Sequence, residues 1–422
     1  MNYPPLWSQE VEDRLRSEAS NIDPQKTPVD VRFCKKCVVS NARPRITFDD
    51  EGVCSACRYA ESKSDGSIDW GERHEELIRL LEAHRGRGHY DVVVPASGGK
   101  DSASVAHKLK HEHGMNPLVV KWAPFAYTDI GFKNFNAFVH SGFDVQVGWP
   151  NGLTHRKLTR LALEYVGDPF LPFIYGQMHY AQHIAQHHGI GLVFLGENGE
   201  AEYGGDTAAN DKPCWGKEDW GRIYMKGADA AELFSIGIKN GCFTKEEALQ
   251  STPFYRPPPS TASRRGTPEA EVHWFSYYEK WHPQGNYYYA CNNTGFEANP
   301  EGRSTGTYSK YASIDDLTDD FHYYLGFLKF GIGRCTSDAA HEVRDGEITR
   351  DEAVALVEKY DGEFPRKNMQ HFLDYVGIDN EKWLHQVFVR FMPKEIWERD
   401  ADFCWTPRNR VYDAETKTDS AA

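Results

Sequence analysis

Three groups of residues in this chain have types and spacings that can do chemistry. The first is Cys34-x2-Cys37-x16-Cys54-x2-Cys57. Each CxxC knuckle puts two thiolates on one tight turn, and the spacer lets the pairs meet tetrahedrally. Four cysteines can also hold an iron–sulfur cluster, but paired knuckles favour zinc. Four thiolates fill the coordination sphere and leave no position for water or substrate, so zinc here is structural. It would staple a small subdomain that lacks a core of its own.

The second group is Ser97-Gly98-Gly99-Lys100-Asp101-Ser102, set between an apolar run and a helical pattern. A nucleotide loop of the G-x-x-x-x-G-K-[ST] type fails, because Asp101 follows Lys100 and the first glycine position falls on Val94. A G-x-G-x-x-G fingerprint fails as well. The pattern S-G-G-x-D-S fits at every fixed letter. Two glycines let successive backbone N–H groups turn inward as an anion nest. Ser97 and Ser102 add hydroxyl donors, the following helix adds its N-terminus, and Asp101 can hold magnesium or orient the loop. A plain Gly-Gly-x-Asp turn has similar letters. The strand before and the helix after weigh against it.

The third group is "GENGEAEYGG", residues 196–205, with Glu197, Asn198, Glu200 and Glu202 at the end of an apolar strand. Ligands of open α/β sheets bind at such carboxyl ends. Carboxylates crowding a phosphate site call for a metal between them, and magnesium suits a carboxylate or two plus phosphate oxygens. The alternative is a solvated acidic loop.

The elements that must position these groups alternate. Strands are expected at 91–95, 117–122, 143–149 and 190–196, with helices near 101–113, 131–141, 154–166 and 176–188. One short helix is expected over 8–19 and another from about 72. Short β-branched runs separated by helices predict an α/β fold with a doubly wound parallel sheet. The expected organisation is a lead-in (1–32), a zinc-ribbon subdomain (33–62) and a nucleotide-binding α/β domain (72–250). An aromatic, loop-rich insertion (251–313) completing the substrate side, a helical C-terminal region (314–405) and a tail (406–422) follow. "RPPPSTASRRGTPE" (256–269) reads as an exposed loop, the last residues as frayed, and no internal repeat is visible.

Composition narrows the classes. The 422 residues are 40% hydrophobic, enough for a packed core, and the net charge of −14 argues against tracking nucleic-acid phosphates. No apolar window is long enough to span a membrane. The polar, acidic start is unlike a secretory signal, so a cytoplasmic protein is expected. Besides the cluster, Cys214, Cys242, Cys291, Cys335 and Cys404 are scattered singly, which fits a reducing compartment better than a disulfide framework.

The S-G-G-x-D-S loop resembles that of the PP-loop ATP pyrophosphatases, which include GMP, NAD and asparagine synthetases and tRNA sulfurtransferases. The order of CxxC…CxxC, SGGKDS, "GDPFLPFIYGQ" (167–177) and "GENGEAEYGG", with the tail "GTYSKYASIDDLTDDFHYYLGFLKFGIGRCTSDAAHEVRDGEITRDEAVALVEKYDGEFP" (306–365), resembles the N-acetyl sugar amidotransferases. The likeness runs from about 33 to 365, and is nearest the enzymes of pseudaminic or related nonulosonic acids, or of nucleotide-linked diacetamido sugars, in surface-glycan pathways. It implies conversion of a sugar N-acetyl group to an acetamidine with ATP, Mg2+ and structural Zn2+. Ser97, Gly98, Gly99, Asp101 and Ser102 would cradle pyrophosphate, with Lys100 at the variable position. Val120 and Trp122 would meet the adenine, with Gly196 and Asn198 nearby. Asp101, Glu197, Glu200 and Glu202 are the magnesium candidates, the first three also the catalytic set. Gln177, His179 and Tyr203 are candidate sugar contacts.

A nonulosonic acid carries a carboxylate, for which Lys329, Arg334 and Arg344 are candidates. The alternative is a basic helix face balancing Asp338 and Glu342. No glutaminase signature is visible: no Cys at position 2, no nucleophile elbow. Ammonia is therefore expected from elsewhere, and the resemblance implies a separate glutaminase with a synthase-like companion subunit; no nucleic-acid or membrane partner is expected. Two rivals stand. A tRNA sulfurtransferase would need Cys214 or Cys242 as sulfur carrier, and a non-catalytic zinc-ribbon adaptor would need neither.

Overall fold

The structure is a computed structural model that describes residues 3–23, 25–124, 126–214, 216, 228–251, 253–259, 269–399 and 405–413. Its centre is a five-stranded, wholly parallel sheet of β1 (Val92–Pro95), β2 (Pro117–Trp122), β3 (Asp144–Gly148), β4 (Leu192–Leu195) and β5 (Glu271–Trp274). The order is β3-β2-β1-β4-β5, with Val93 opposite both Leu118 and Val193. Parallel strands are buried on both faces, which is why "VVV", "PLVV" and "LVFL" read as unbroken apolar runs.

Helices cover each face. Val93, Leu118 and Val120 pack with Leu158 and Leu161 of α6 (Gly152–Val166) and Tyr175 of α7 (Leu171–His188). Val92, Val94 and Phe194 face the opposite way. They pack with Leu77 and Leu81 of α3 (Trp70–His84), Ala103 of α4 (Lys100–His111) and Phe138 of α5 (Asp129–His140). The alternation follows from the two-residue period of a strand. The N-terminal helix α1 (Gln9–Glu18) docks through Glu12, which pairs at 2.7 Å with the fully buried Arg160.

The strand β5 lies in the stretch expected to be a loop-rich insertion. "EVHW" offers only two apolar residues, and pairing with β4 made a strand of it. Downstream, a helix over Pro283–Thr294 packs along α4; Ser104 Oγ donates to the Asn286 carbonyl at 3.0 Å. Residues 260–268 of the expected exposed loop, and 414–422 of the tail, lie outside the described residues.

Most of the described chain after residue 318 is helical, and it ends in an antiparallel pair of short strands, Trp397–Arg399 and Trp405–Pro407. Asp319–Phe330, Arg334–Asp345 and Arg350–Tyr360 are its first three helices. The cysteine subdomain has no separate core. Its cysteines, Val38 and Val53 pack with Ile332, Cys335, Ala339 and Val354. No helix among the described residues is long and apolar enough to cross a membrane.

Candidate active site

The sheet reverses its winding between β1 and β4, and a crevice opens there at the carboxyl ends of the strands. A cavity of about 560 Å³ fills it. The loop after β1 supplies its floor. Gly98 has φ +88°, and a Cβ on it would stand 2.7 Å from the Phe135 Cα, so only glycine fits. Gly99 caps α4 without any side-chain cap, which leaves the first N–H groups of that helix facing the cavity side. Ser97 Oγ accepts from Gly99 N–H at 3.2 Å. Lys100 Nζ pairs with Asp101 Oδ2 at 2.5 Å, and Asn286 Nδ2 donates to Asp101 Oδ1 at 3.0 Å.

The cavity gathers Ser97, Gly98, Gly99, Lys100, Asp101, Ser102, Val120, Trp122, Gln177, Gly196, Glu197 and Tyr203. The other sequence candidates are elsewhere. Asn198 is buried and structural: its Oδ1 caps the five-residue helix α8 (Gly199–Tyr203), and its Nδ2 donates to the Ala209 carbonyl at 3.1 Å. Glu197 precedes that helix, which rotates successive side chains by about 100°, so Glu200 and Glu202 project to nearly opposite sides of it. Glu197 faces the cavity. Glu200 forms a two-pronged pair with Arg45, at 2.6 and 2.8 Å. Glu202 pairs with Lys63 at 2.5 Å. Both bonds tie α8 to the cysteine subdomain and leave Asp101 and Glu197 as the carboxylates by the loop.

His179 is buried in α7 and does not line the cavity. Lys329 is held by Asp23 and the Val166 carbonyl, and Arg334 donates to the Ala312 and Ser313 carbonyls. Arg344 donates to the Glu202 carbonyl at 3.1 Å and sits 4.0 Å from Cys37 Sγ. These three cations serve the scaffold, and none lines the cavity. The structural alternative is what the geometry supports, and Arg334 is the charge that most favours the buried Asp338 carboxylate.

The opposite wall was not anticipated as a site. Asp315, Asp316, Asp319, Asp338 and Glu342 line it, and Lys121 joins the floor. Lys121 was legible in principle, as the one charge inside "PLVVKW". It is 1% exposed, bonds the Ser97 carbonyl and lies over the Phe135 ring at 4.0 Å. Burial pushes its pKa down to about 8, against the pull of Asp315.

Burial, then repulsion from Asp101, pushes the Glu197 carboxyl up to about 7. A buried carboxyl whose ionisation a neighbouring carboxylate opposes fits a hard divalent cation, which relieves that repulsion. A raised folded pKa contributes stability below the unfolded value near 4.5 that is lost as pH rises through about 7. Glu197→Gln without divalent cation should therefore melt above the parent at about pH 8, by roughly 1–3 kcal/mol, and match it near pH 4.5. Thermal melts at the two pH values check this; equal differences at both would refute it.

Beside the cavity the four cysteines are buried and converge. Sulfur separations are 3.8 Å for Cys34–Cys57 and 3.7 Å for Cys37–Cys54, and all four lie within 4.8 Å of one another. Zinc–sulfur bonds of about 2.3 Å in a tetrahedron put the sulfurs about 3.8 Å apart. The donor set and its spacing fit zinc. Backbone N–H groups of Lys36 and Cys54 each donate to Cys34 Sγ at 3.3 Å, which supports a thiolate there.

Residues 305–411 match the family model described as LPS biosynthesis protein WbpG-like, C-terminal domain. The acidic wall of the cavity falls within this segment, so part of the candidate site comes from a stretch similar to a domain of lipopolysaccharide-biosynthesis proteins. No curated protein matches the chain.

Proposed function

We propose that the protein is an ATP-dependent amidotransferase of surface-glycan biosynthesis, which converts a sugar N-acetyl group to an acetamidino group. The observation that carries this is one cavity with two walls. The SGGKDS loop lies on one side, and a segment similar to a lipopolysaccharide-biosynthesis domain lines the other.

An amide carbonyl is a poor electrophile, and ammonia alone does not displace its oxygen. In the proposed reaction the amide oxygen attacks the α-phosphorus of ATP and pyrophosphate leaves. Ammonia then adds to the activated carbon, and AMP departs with the former amide oxygen. The sum is amide, ATP and ammonia giving amidine, AMP and pyrophosphate. The loop N–H groups, Ser97 and Ser102 hold the departing pyrophosphate, and Lys100 and Lys121 offset its charge. Trp122 and Val120 flank the nucleotide, and Gln177 and Tyr203 meet the sugar. Asp101 and Glu197 would hold magnesium, which neutralises phosphate oxygens when bound. Ammonia comes from a separate glutaminase with a synthase-like companion.

The sulfurtransferase alternative is weaker in this geometry. Cys242 is 1% exposed in the core, with burial pushing its thiol up to about 11, and neither it nor Cys214 lines the cavity. The test is product analysis with ATP, magnesium, ammonium and a panel of free and nucleotide-linked N-acetyl sugars. AMP, pyrophosphate and a sugar whose mass has changed by oxygen to NH are expected. ADP formation, or AMP formation independent of the sugar, would sink the reading.

A further inference from the structure

The acidic wall outnumbers the cations described around it. Asp315, Asp316, Asp319, Asp338 and Glu342 line it, against Lys100 and Lys121 across the space. Lys100 is already paired with Asp101, and Lys121 is tied to the loop carbonyl of Ser97. Arg334 lies behind the wall, its Nη1 3.6 Å from Asp320 Oδ1. Arg334 favours the charged forms of Asp319 and Asp338, and Lys100 that of Asp338, but buried carboxylates in excess of cations disfavour ionisation. Burial is the leading cause of raised pKa values at Asp319, Asp338 and Glu342 alike.

One side chain on this wall has an oxygen to spare. Asp319 is 3% exposed; its Oδ2 accepts from Ser313 Oγ at 2.6 Å, and its Oδ1 has no hydrogen-bond partner. Ser313, which aims that hydroxyl, is held at φ +49°. A left-handed serine is sparsely populated, and such strain gathers at ligand sites. His341 lines the same cavity at 5% exposure. Its Nδ1 is 3.0 Å from Asp345 Oδ2, and its Nε2 faces Glu202 Oε2 at 3.7 Å, so its ring is committed to the scaffold. The wall is thus rich in acceptors. Its carboxylates are also spread out: among the described residues no three of them bring oxygens within 4.8 Å of one another. That spacing lines a surface for a ligand with several donors.

We propose that this wall is a subsite for a small cation bearing N–H donors. The proposed reaction supplies two such species: ammonium, the protonated nitrogen donor, and the acetamidinium group, since an amidine is basic enough to hold a proton near neutral pH. A wall of acceptors distinguishes both from the neutral amide that enters. The identity of these cations rests on the amidotransferase reading; the acceptor geometry does not.

The test is calorimetric titration of the full chain, at constant ionic strength, with ammonium chloride, acetamidinium chloride, acetamide and tetramethylammonium chloride. Saturable binding is expected for either or both N–H cations and not for acetamide or tetramethylammonium. Binding of ammonium alone assigns the wall to the nitrogen donor, and of acetamidinium alone to the product group. Asp319→Asn and Asp338→Asn, each verified as folded by its melt, should weaken that binding about tenfold or more, as loss of a charged hydrogen-bond partner does. The exposed Glu246→Gln should not. No saturable binding, equal binding of acetamide, or indifference to both wall variants would overturn the proposal. If the cations bind as expected but no sugar supports AMP formation, the subsite stands and the amidotransferase reading falls. AMP formation with sugar but without cation binding has the opposite meaning.

Discussion

Gly98→Ala is expected to cut sugar-dependent AMP formation by about 100-fold or more, the scale seen when preorganised donors are lost, while the sheet survives. The added Cβ would meet the Phe135 backbone at 2.7 Å, and a backbone atom cannot swing aside as a side-chain tip can. The φ of +88° compounds this, because alanine resists that conformation. The loop must therefore shift, and its N–H groups leave the position from which they grip an anion. The cores on both faces of the sheet do not involve Gly98. AMP release and a circular-dichroism melt separate the two effects. A variant with parental AMP release and an unshifted melt would show that the loop is an ordinary turn.

The second large effect is expected at the cysteines. Cys54→Ser should lose the zinc, one ion per chain in the parent, and several kcal/mol of stability with it. The loss should spread, because this subdomain shares its core with the helices Arg334–Asp345 and Arg350–Tyr360. It also holds the strand-end helix α8 through Arg45–Glu200 and Lys63–Glu202. Glu197 precedes that helix, so AMP formation should fall although no cysteine of the cluster lines the cavity. Metal analysis by mass spectrometry, with melts of the parent before and after chelation, checks this. Full zinc retention, or loss of zinc without loss of stability, would contradict a structural staple.

Much of this was legible along the chain. Four strands were readable because parallel strands are apolar on both faces, and their runs stand out between helices. The cysteine knuckles and the SGGKDS loop were readable because their chemistry is local: turn geometry, backbone donors and ligand spacing lie within a few residues. Strand β5 was missed for the opposite reason, since its burial comes from β4 and scarcely from its own letters. "GENGEAEYGG" shows the limit within one motif. Three glutamates look equivalent in sequence, yet Glu197 lines the cavity ahead of the helix, while Glu200 and Glu202 within it pair with Arg45 and Lys63.

The basic residues show the same limit over longer distance. Lys329, Arg334 and Arg344 suggested a sugar carboxylate, and each is satisfied by the fold, one of them beside the cysteines. What faces the loop is the acidic segment around Asp315, Asp319 and Asp338. By itself the sequence determined the alternation of strands and helices, the four-cysteine group and the glycine loop at a strand end, because each depends on neighbours in the chain. Only the tertiary structure decided which charges meet across the cavity, because that depends on residues some two hundred positions apart being packed against one another.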